Sequence, residues 1–82
     1  MTQSEHQAII AQSDKFLLPL YKRAKLALVG GEGAWLHAAD GRRLLDATAG
    51  IAVNALGYGD AEVVAAIQQA ATGLLHSSNL YY

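Results

Sequence analysis

The dipeptide Asp40-Gly41 separates two short segments, and it restricts the fold of this chain more than any other feature. Residues 34–38 before it and residues 43–46 after it each have the length of a β-strand. An Asp-Gly pair favours a tight hairpin turn because both residues tolerate a positive φ. We therefore expect two antiparallel strands here, with Asp40 and Gly41 as the two positive-φ residues of the turn.

A further strand is expected before this hairpin. Residues 26–29 are apolar and residues 30–33 contain three glycines, which predicts a strand followed by a turn. Residues 26–46 would then form a three-stranded antiparallel meander. Residues 47–59 also contain three glycines and show no sustained hydrophobic period, so an extended loop is expected there.

One helix is expected on each side of the meander. Ser4 and Gln7 have the spacing of a capping box, which predicts a short helix toward Lys15 that cannot continue through Pro19. Asp60 can cap the second helix. That helix is expected to have Glu62 near its positive end, Gly73 as its stop and an apolar stripe made of Val63, Ile67, Ala70 and Leu74.

The composition limits how much of this chain can be buried by itself. Apolar residues make up 52% of the 82 residues, but 16 of them are alanine. Large apolar side chains supply most of the free energy gained on burial, so a thin core is expected. We expect one unit without a domain boundary between residues 1 and 82, packed against a partner surface.

Charge and targeting signals exclude several classes of function. The net charge is −1 without a large basic cluster, which argues against a nucleic-acid partner. The chain has no cysteine, which excludes disulfides and thiolate chemistry. The first residues lack a signal-peptide pattern, and no run of 18 apolar residues follows. We therefore expect a cytoplasmic location and no membrane association.

No cluster of reactive side chains stands out. His6, His37 and His76 are far apart and lack the i, i+4 spacing that places two imidazoles on one helical face, so no metal site is expected. Ser77 and Ser78 lie beside His76 but outside the strand-turn-helix setting of a nucleophile elbow. The residues alone therefore identify no catalytic group.

A series of short motifs in a fixed order gives the most specific indication of function. From about residue 18 onward it consists of Tyr21-Lys22-Arg23, Gly31-Glu32-Gly33, Trp35-Leu36, Asp40-Gly41, Leu45-Asp46, residues 50–54, Leu56-Gly57, the helix over residues 63–67 and Ser78-Asn79-Leu80-Tyr81. This order resembles the N-terminal part of the class III, ornithine-type aminotransferases. The chain departs from the family pattern at Tyr58-Gly59-Asp60, where members often have a His-containing turn that ends in proline.

The resemblance implies an α/β parent enzyme of fold type I. This chain would be its α+β N-terminal segment, made of a helix, a three-stranded antiparallel sheet, a loop and a helix. The parent would be a homodimer that transfers an amino group to 2-oxoglutarate with pyridoxal 5'-phosphate as the electron sink. The cofactor's lysine, acidic partner and phosphate cradle are not found here, where the lysines are Lys15, Lys22 and Lys25. The chain by itself is expected to be inactive.

The resemblance also implies roles for several residues. Gly50 matches a position where relatives that act on free ornithine have a bulky aromatic residue, so it would leave room for an acylated side-chain nitrogen. The expected donor is N-acetylornithine, in arginine biosynthesis. The residues expected to line the substrate site are Tyr21, Gly50, Ile51, Val53 and Asn54, and those expected near the cofactor and the dimer interface are Ser78 and Asn79.

Alternatives stay open at this stage. Succinylornithine, acetyl-lysine and 4-aminobutyrate are other donors, because discrimination among them also depends on residues outside this chain. A second hypothesis is a non-catalytic module that acts alone and binds a partner through its apolar face. Gly50 also has a purely structural explanation, as a loop glycine that needs an unusual backbone conformation.

Overall fold

The computed structural model describes residues 2–82. It contains a helix, a three-stranded sheet, a single turn and a second long helix, with the bounds α1 (Gln3–Phe16), β1 (Leu28–Glu32), β2 (Trp35–Ala38), β3 (Arg43–Leu45), α2 (Ala49–Ala52) and α3 (Ala61–Ala71). The strand order is β1-β2-β3, and both neighbouring pairs are antiparallel. The predicted meander and the α+β character of the segment are therefore confirmed.

Helix α1 begins two residues earlier than predicted. Its N-cap is Thr2, whose hydroxyl accepts a hydrogen bond from the backbone N–H of Glu5, while the Glu5 carboxylate accepts one from the N–H of Thr2. The capping box predicted at Ser4 and Gln7 is thus wrong, because Thr2 and Glu5 have the same spacing and place an acidic side chain in the first turn. The helix ends at Phe16, before Pro19 as expected.

The first strand lies further along the chain than residues 26–29. Gly30 and Gly31 pair with His37 and Leu36 in the sheet, so they belong to β1 and not to the predicted turn at residues 30–33. A register shift lies between Leu28 and Gly30. Glycines at these positions let another part of the chain come close to the strand, as the ring of Tyr58 does over Gly31.

The turn between β2 and β3 differs from the predicted two-residue turn. The N–H of Ala38 donates to the carbonyl of Arg42 (2.9 Å), and the N–H of Gly41 donates to the carbonyl of Ala38 (3.0 Å). Gly41 has a φ of 94°, whereas Asp40 does not have a positive φ. The loop therefore has three residues, and the Asp40 carboxylate accepts hydrogen bonds from the Arg42 backbone (3.1 Å) and its Nε (2.8 Å).

Helix α1 is joined to the sheet through a buried histidine. His6 is 3% exposed, and its Nε2 accepts a hydrogen bond from the backbone N–H of Ala27 (2.9 Å). The imidazole proton therefore lies on Nδ1, and the Asp40 carboxylate at 3.9 Å from Nε2 is a neighbour rather than an ion-pair partner. The buried apolar residues around this contact are small, namely Ala27, Ala38 and Ala39.

Large apolar side chains remain uncovered over most of the chain. No residue of α3 is buried, and its stripe residues Val63 and Ile67 are 41% and 62% exposed. The predicted N-cap of helix α3 is confirmed, since the Asp60 Oδ2 atom accepts a hydrogen bond from the backbone N–H of Val63 (3.1 Å). Leu74 lies beyond the end of α3 at Ala71, so it does not extend the helical stripe as predicted. Across residues 2–82 no helix is both long and apolar enough to cross a membrane.

The segment before α3 is attached to the sheet by a close backbone contact. Gly33 and Tyr58 exchange two hydrogen bonds, of 2.9 Å and 2.8 Å. The neighbouring Gly57 has a φ of 74°, and a Cβ added there would lie 2.5 Å from the carbonyl oxygen of Gly33. Only glycine allows this approach, since both the dihedral and the space exclude a side chain.

A matched pair of substitutions tests this contact. Gly57→Ala should destabilise the chain more than Gly59→Ala, because Gly59 has a similar φ of 79° but open space around its added Cβ. We expect a loss of about 1 kcal/mol for the backbone conformation alone and a further 1 to 3 kcal/mol, roughly, for the clash at Gly57. Urea unfolding followed by the fluorescence of Trp35 measures both. Equal losses would show that Gly33 and residue 57 are not in close contact.

Candidate functional site

The proposed substrate-site residues lie on a left-handed turn. The segment Ala49–Ala52 has four successive positive φ angles, of 52°, 64°, 63° and 61°. An extended loop was predicted for residues 47–59, but this part of the chain includes a compact turn. Positive φ is costly for residues with a Cβ, and three of these four have one, so neighbouring groups must hold the turn in place.

Asp46 holds the start of the turn. Its Oδ1 accepts a hydrogen bond from the backbone N–H of Ala49 (2.8 Å). The carbonyl of Ala49 in turn accepts from the N–H groups of Val53 (2.8 Å) and Asn54 (2.9 Å). The carboxylate thus anchors the residue around which the turn closes.

Tyr58 connects both ends of the turn. Its hydroxyl donates a hydrogen bond to Asp46 Oδ2 and accepts one from Asn54 Nδ2 (3.2 Å). The ring lies against Gly31, where an added Cβ would be 2.7 Å from the Tyr58 Cγ. Asp46, Asn54 and Tyr58 are all half-buried, and together they form a hydrogen-bonded group that we call the Tyr58 cluster.

The Tyr58 cluster shifts the pKa values of both acidic groups. The hydrogen bond from Tyr58, helped by the backbone N–H of Ala49, holds the pKa of Asp46 below its ordinary value of 3.8. The same hydrogen bond, helped by partial desolvation, raises the pKa of Tyr58 above its ordinary value of 10.0. The Asp46 contribution to stability is therefore present above pH 3.8 and is lost as the pH falls through the lowered pKa. The Tyr58 contribution is present below pH 10.0 and is lost as the pH rises through the raised pKa.

The turn brings several of the predicted site residues together. A Cβ built on Gly50 would lie 3.2 Å from Asn54 Nδ2 and 3.7 Å from the Cβ of Val53. Ile51 and Val53 are 86% and 75% exposed, so both present apolar surface. Gly50, with a φ of 64°, also has the unusual backbone conformation that its structural explanation requires.

Tyr21 lies apart from this turn. It is exposed and lines a groove of about 790 Å³ between α1 and residues 17–28, and no residue of the turn lines that groove. The floor of the groove is held to α1 by a hydrogen bond from Arg23 Nη1 to Ser13 Oγ (3.0 Å) and by the Lys25–Asp14 ion pair (3.7 Å).

Ser78 and Asn79 lie in the exposed residues that follow α3. Ser78 has a φ of 72°, and its hydroxyl accepts a hydrogen bond from the N–H of Leu80 (3.1 Å). This is a local turn, and neither residue joins the Tyr58 cluster.

Sequence reasoning missed Asp46 and Tyr58 as members of the site. Asp46 was expected to end the third strand, and Tyr58 was noted only as a departure from the family pattern. The available signal for Tyr58 was the preceding Gly57, because a glycine lets the backbone beside it approach another part of the chain closely. His6 was likewise considered only as a metal ligand.

The chain matches the family described as Aminotransferase class-III over residues 19–82. It belongs to the class III aminotransferases. The matched part begins at Pro19 and includes the sheet, the left-handed turn and α3, whereas α1 lies before it.

Individual relatives agree with this assignment. The chain is 57% identical over 65 residues to the acetylornithine aminotransferase of Rhodobacter capsulatus, a match that covers 79% of this chain and 16% of that protein. It is 51% identical over 65 residues to acetylornithine aminotransferase 1 of Bradyrhizobium diazoefficiens, with the same coverage. It is 40% identical over 80 residues to the acetylornithine aminotransferase of Methanosarcina acetivorans, covering 98% of this chain and 20% of that protein. The chain thus spans 16 to 20% of the length of these relatives.

The residues of this class III aminotransferase chain do not fit a pyridoxal phosphate pocket by themselves. Lys15, Lys22 and Lys25 are exposed, whereas a lysine that forms a Schiff base is usually desolvated or placed beside another cation. Lys15 lies over the ring of Phe16, and Lys25 pairs with Asp14. Within residues 2–82 there is also no group of three or more His, Cys, Asp or Glu side chains that could hold a metal ion.

The shared hydrogen bond in the Tyr58 cluster predicts a specific response to mutation. Asp46→Asn should lower the pKa of Tyr58 toward 10.0, because the carboxylate is the main cause of its increase. A pH titration of the ¹³Cζ resonance of Tyr58 measures this pKa. Asp60→Asn is the matched control, since Asp60 caps α3 outside the cluster, and it should leave the Tyr58 titration unchanged. An unchanged titration in Asp46→Asn would contradict the hydrogen bond.

Proposed function

We propose that this chain is the N-terminal part of an enzyme that transfers the amino group of N-acetylornithine, or of a similar acylated diamino acid, to 2-oxoglutarate. The class III family and relatives named acetylornithine aminotransferase support this proposal. The proposed setting is arginine biosynthesis in the cytoplasm, and the proposed assembly is a homodimer.

The single structural observation that carries the choice of donor is the wall formed by the left-handed turn. Gly50 presents no side chain beside Val53 and Asn54, and a Cβ added there would already lie 3.2 Å from Asn54 Nδ2. Ile51 and Val53 present exposed apolar side chains on the same turn. An acyl group fits such a surface, because its methyl end can contact apolar side chains and its amide can meet a polar one. Tyr21 is proposed to contact the substrate at the mouth of the same site.

The proposed cofactor is pyridoxal 5'-phosphate, and most of the residues that bind it would lie outside this chain. When bound, the cofactor supplies the electron sink for amino-group transfer. The proposed roles of this chain are to shape the end of the substrate site distant from the cofactor and to place Ser78 and Asn79 near the cofactor region and the dimer interface.

The uncovered apolar surface of the chain fits a segment that packs against a larger body. Among residues 2–82 no large side chain is fully buried, and the exposed apolar residues include Leu17 and Leu18, which line the groove, and Ile67 on α3. Exposed apolar surface on this scale is typical of a segment that packs against another protein surface. The rest of the aminotransferase is the proposed cover. The same surface would serve the second hypothesis, a module without activity that binds a partner.

An assay of the complete polypeptide tests the proposed function. Incubated with pyridoxal phosphate, N-acetylornithine and 2-oxoglutarate, it should produce glutamate. Parallel reactions with succinylornithine, acetyl-lysine and 4-aminobutyrate decide among the alternative donors. A coding frame that stops at Tyr82 and yields a stably folded, inactive product would support the binding module instead.

The first prediction from this proposal concerns specificity. In the complete enzyme, Gly50→Tyr should impair the use of N-acetylornithine more than that of ornithine, because the ring would occupy the volume proposed for the acetyl group. Steric exclusion can exceed the roughly 1 to 3 kcal/mol of a single methylene, so the ratio of the two kcat/KM values should change about tenfold or more. Gly50→Ala is the control, since it adds the positive-φ strain without the ring. If the ratio stays constant while both activities fall, Gly50 serves the backbone alone.

The second prediction concerns the cofactor. The 82-residue chain alone should form no stoichiometric, saturable adduct with pyridoxal phosphate, because its lysines are exposed and none lies in a prepared pocket. Absorbance titration with the cofactor measures this, with Lys15→Ala, Lys22→Ala and Lys25→Ala as single-site variants. Saturable absorbance that disappears in one of these variants would contradict the proposal that the cofactor lysine lies elsewhere.

A further inference from the structure

The Tyr58 cluster includes two residues that the family resemblance does not assign to the substrate site. Asp46 and Tyr58 contact one another, and each also contacts the turn that carries Gly50. We propose that Asp46 and Tyr58 are positioning residues for substrate binding, which hold the turn and orient the Asn54 amide in the wall of the acyl site. The identity of the ligand rests on the proposed function. The geometric part of the inference, that Asp46 and Tyr58 hold the turn, does not.

The first step of the argument is the direction of the hydrogen bonds. An ionised carboxylate only accepts, so the single proton of the Tyr58 hydroxyl is committed to Asp46 Oδ2. The hydroxyl oxygen can then only accept from Asn54, which requires the NH₂ end of that amide to face Tyr58. The carboxylate thus determines, through the tyrosine, which way the Asn54 amide points. The NH₂ group has a second N–H that Tyr58 does not use, and it can donate a hydrogen bond to the carbonyl of an acyl group.

The second step is the location of that amide. Asn54 Nδ2 lies 3.2 Å from the position that a Cβ on Gly50 would occupy. The Asn54 side chain therefore borders the surface beside Gly50 that is proposed to face the acyl group, and its NH₂ group is the nearest part of the amide. A rotated or mobile Asn54 would change the shape of that surface and remove the fixed donor from it.

The third step is backbone strain. Ala49, Ile51 and Ala52 have positive φ although each carries a Cβ. Such a segment relaxes unless other contacts hold it, and strain of this kind is concentrated at ligand sites. The Asp46 bond to the Ala49 N–H fixes the first residue, while Tyr58 holds Asn54 after the last. Loss of either contact should release the exposed side chains of Ile51 and Val53 from fixed positions.

The test uses the complete enzyme with Tyr58→Phe and Asp46→Asn. Phenylalanine keeps the ring against Gly31 and removes only the hydroxyl, and asparagine keeps the shape of Asp46 without its charge. Asp60→Asn is the matched control, because Asp60 caps α3 outside the cluster. Asparagine is as good a helix cap as aspartate, so this control preserves α3.

Two measurements are made on each protein. Hydrogen-deuterium exchange of a peptide covering residues 47–56 reports whether the turn is held, with α3 as the internal reference. Steady-state kinetics with N-acetylornithine reports binding and turnover separately. In both cluster variants, we expect faster exchange in residues 47–56 but not in α3. We also expect KM to rise about threefold to tenfold with kcat changed less than about twofold, as for a lost hydrogen bond that acts in binding. The Asp60→Asn control should match the wild type.

Each other outcome overturns a stated part of the inference. Unchanged exchange in both variants would show that the cluster does not hold the turn. Faster exchange with unchanged KM, or equal losses of kcat for every donor, would show that the turn does not position the substrate. Loss of protection throughout α3 in both variants would assign the cluster a purely structural role. A wild-type enzyme without aminotransferase activity would instead overturn the proposed function, and the exchange measurement would still decide the geometric part.

Discussion

The hydroxyl of Tyr58 lies between the Asp46 carboxylate and the Asn54 amide, and the order of residues 47–59 depends on this contact. The same residue pairs with Gly33 through its backbone, so its main chain is fixed to the sheet while its side chain reaches the left-handed turn. A loop of this length would otherwise lose considerable conformational entropy without enough contacts to offset it. Tyr58 thus attaches the left-handed turn to the sheet, and the proposed function places that turn beside the substrate.

Close packing in this chain comes from small residues rather than from large apolar ones. Gly31 accepts the Tyr58 ring, Gly57 accepts the Gly33 carbonyl, and Ala27 and Ala39 surround the His6 contact. Backbone approaches of this kind give geometric precision but bury little apolar area, so they contribute little hydrophobic free energy. The large apolar side chains that would contribute it lie exposed along the groove and on α3. The chain therefore combines a precise local arrangement with surfaces that the proposed parent enzyme would cover.

The sequence predicted the parts of this structure that depend on local chemistry. The meander was predicted from segments of strand length and the turn residues between them, and α3 was predicted from Asp60 and the helical period after it. The errors have a common cause in contacts between distant residues. The sequence pattern around Gly30 and Gly31 is typical of a turn, but both residues pair within the sheet. Gly31 has no side chain because the ring of Tyr58, which is distant in sequence, packs against it. The left-handed turn could not be predicted, because only the side chains of Asp46 and Tyr58 make its unfavourable dihedrals stable. The same long-range contacts explain why the sequence indicated Gly50 and Asn54 but not the residues that hold them.

The identity of the strained residues separates two explanations of the turn. A segment needed only to reverse the chain would be most stable with glycine at each positive φ, since glycine adopts that conformation without a steric cost. This turn has a single glycine at position 50 and instead places Ile51, the bulkiest of its residues, at a φ of 63° with 86% of the side chain exposed. An exposed isoleucine adds nothing to the core, so the strain is not offset by burial within this chain. The hydrogen bonds from Asp46 and Tyr58 hold the backbone of the turn, but they do not explain why the exposed side chain at position 51 is large. An apolar contact of Ile51 with a ligand, or with the rest of the proposed enzyme, would supply that reason, which is why the composition of the turn favours the proposed contact surface over a simple chain reversal.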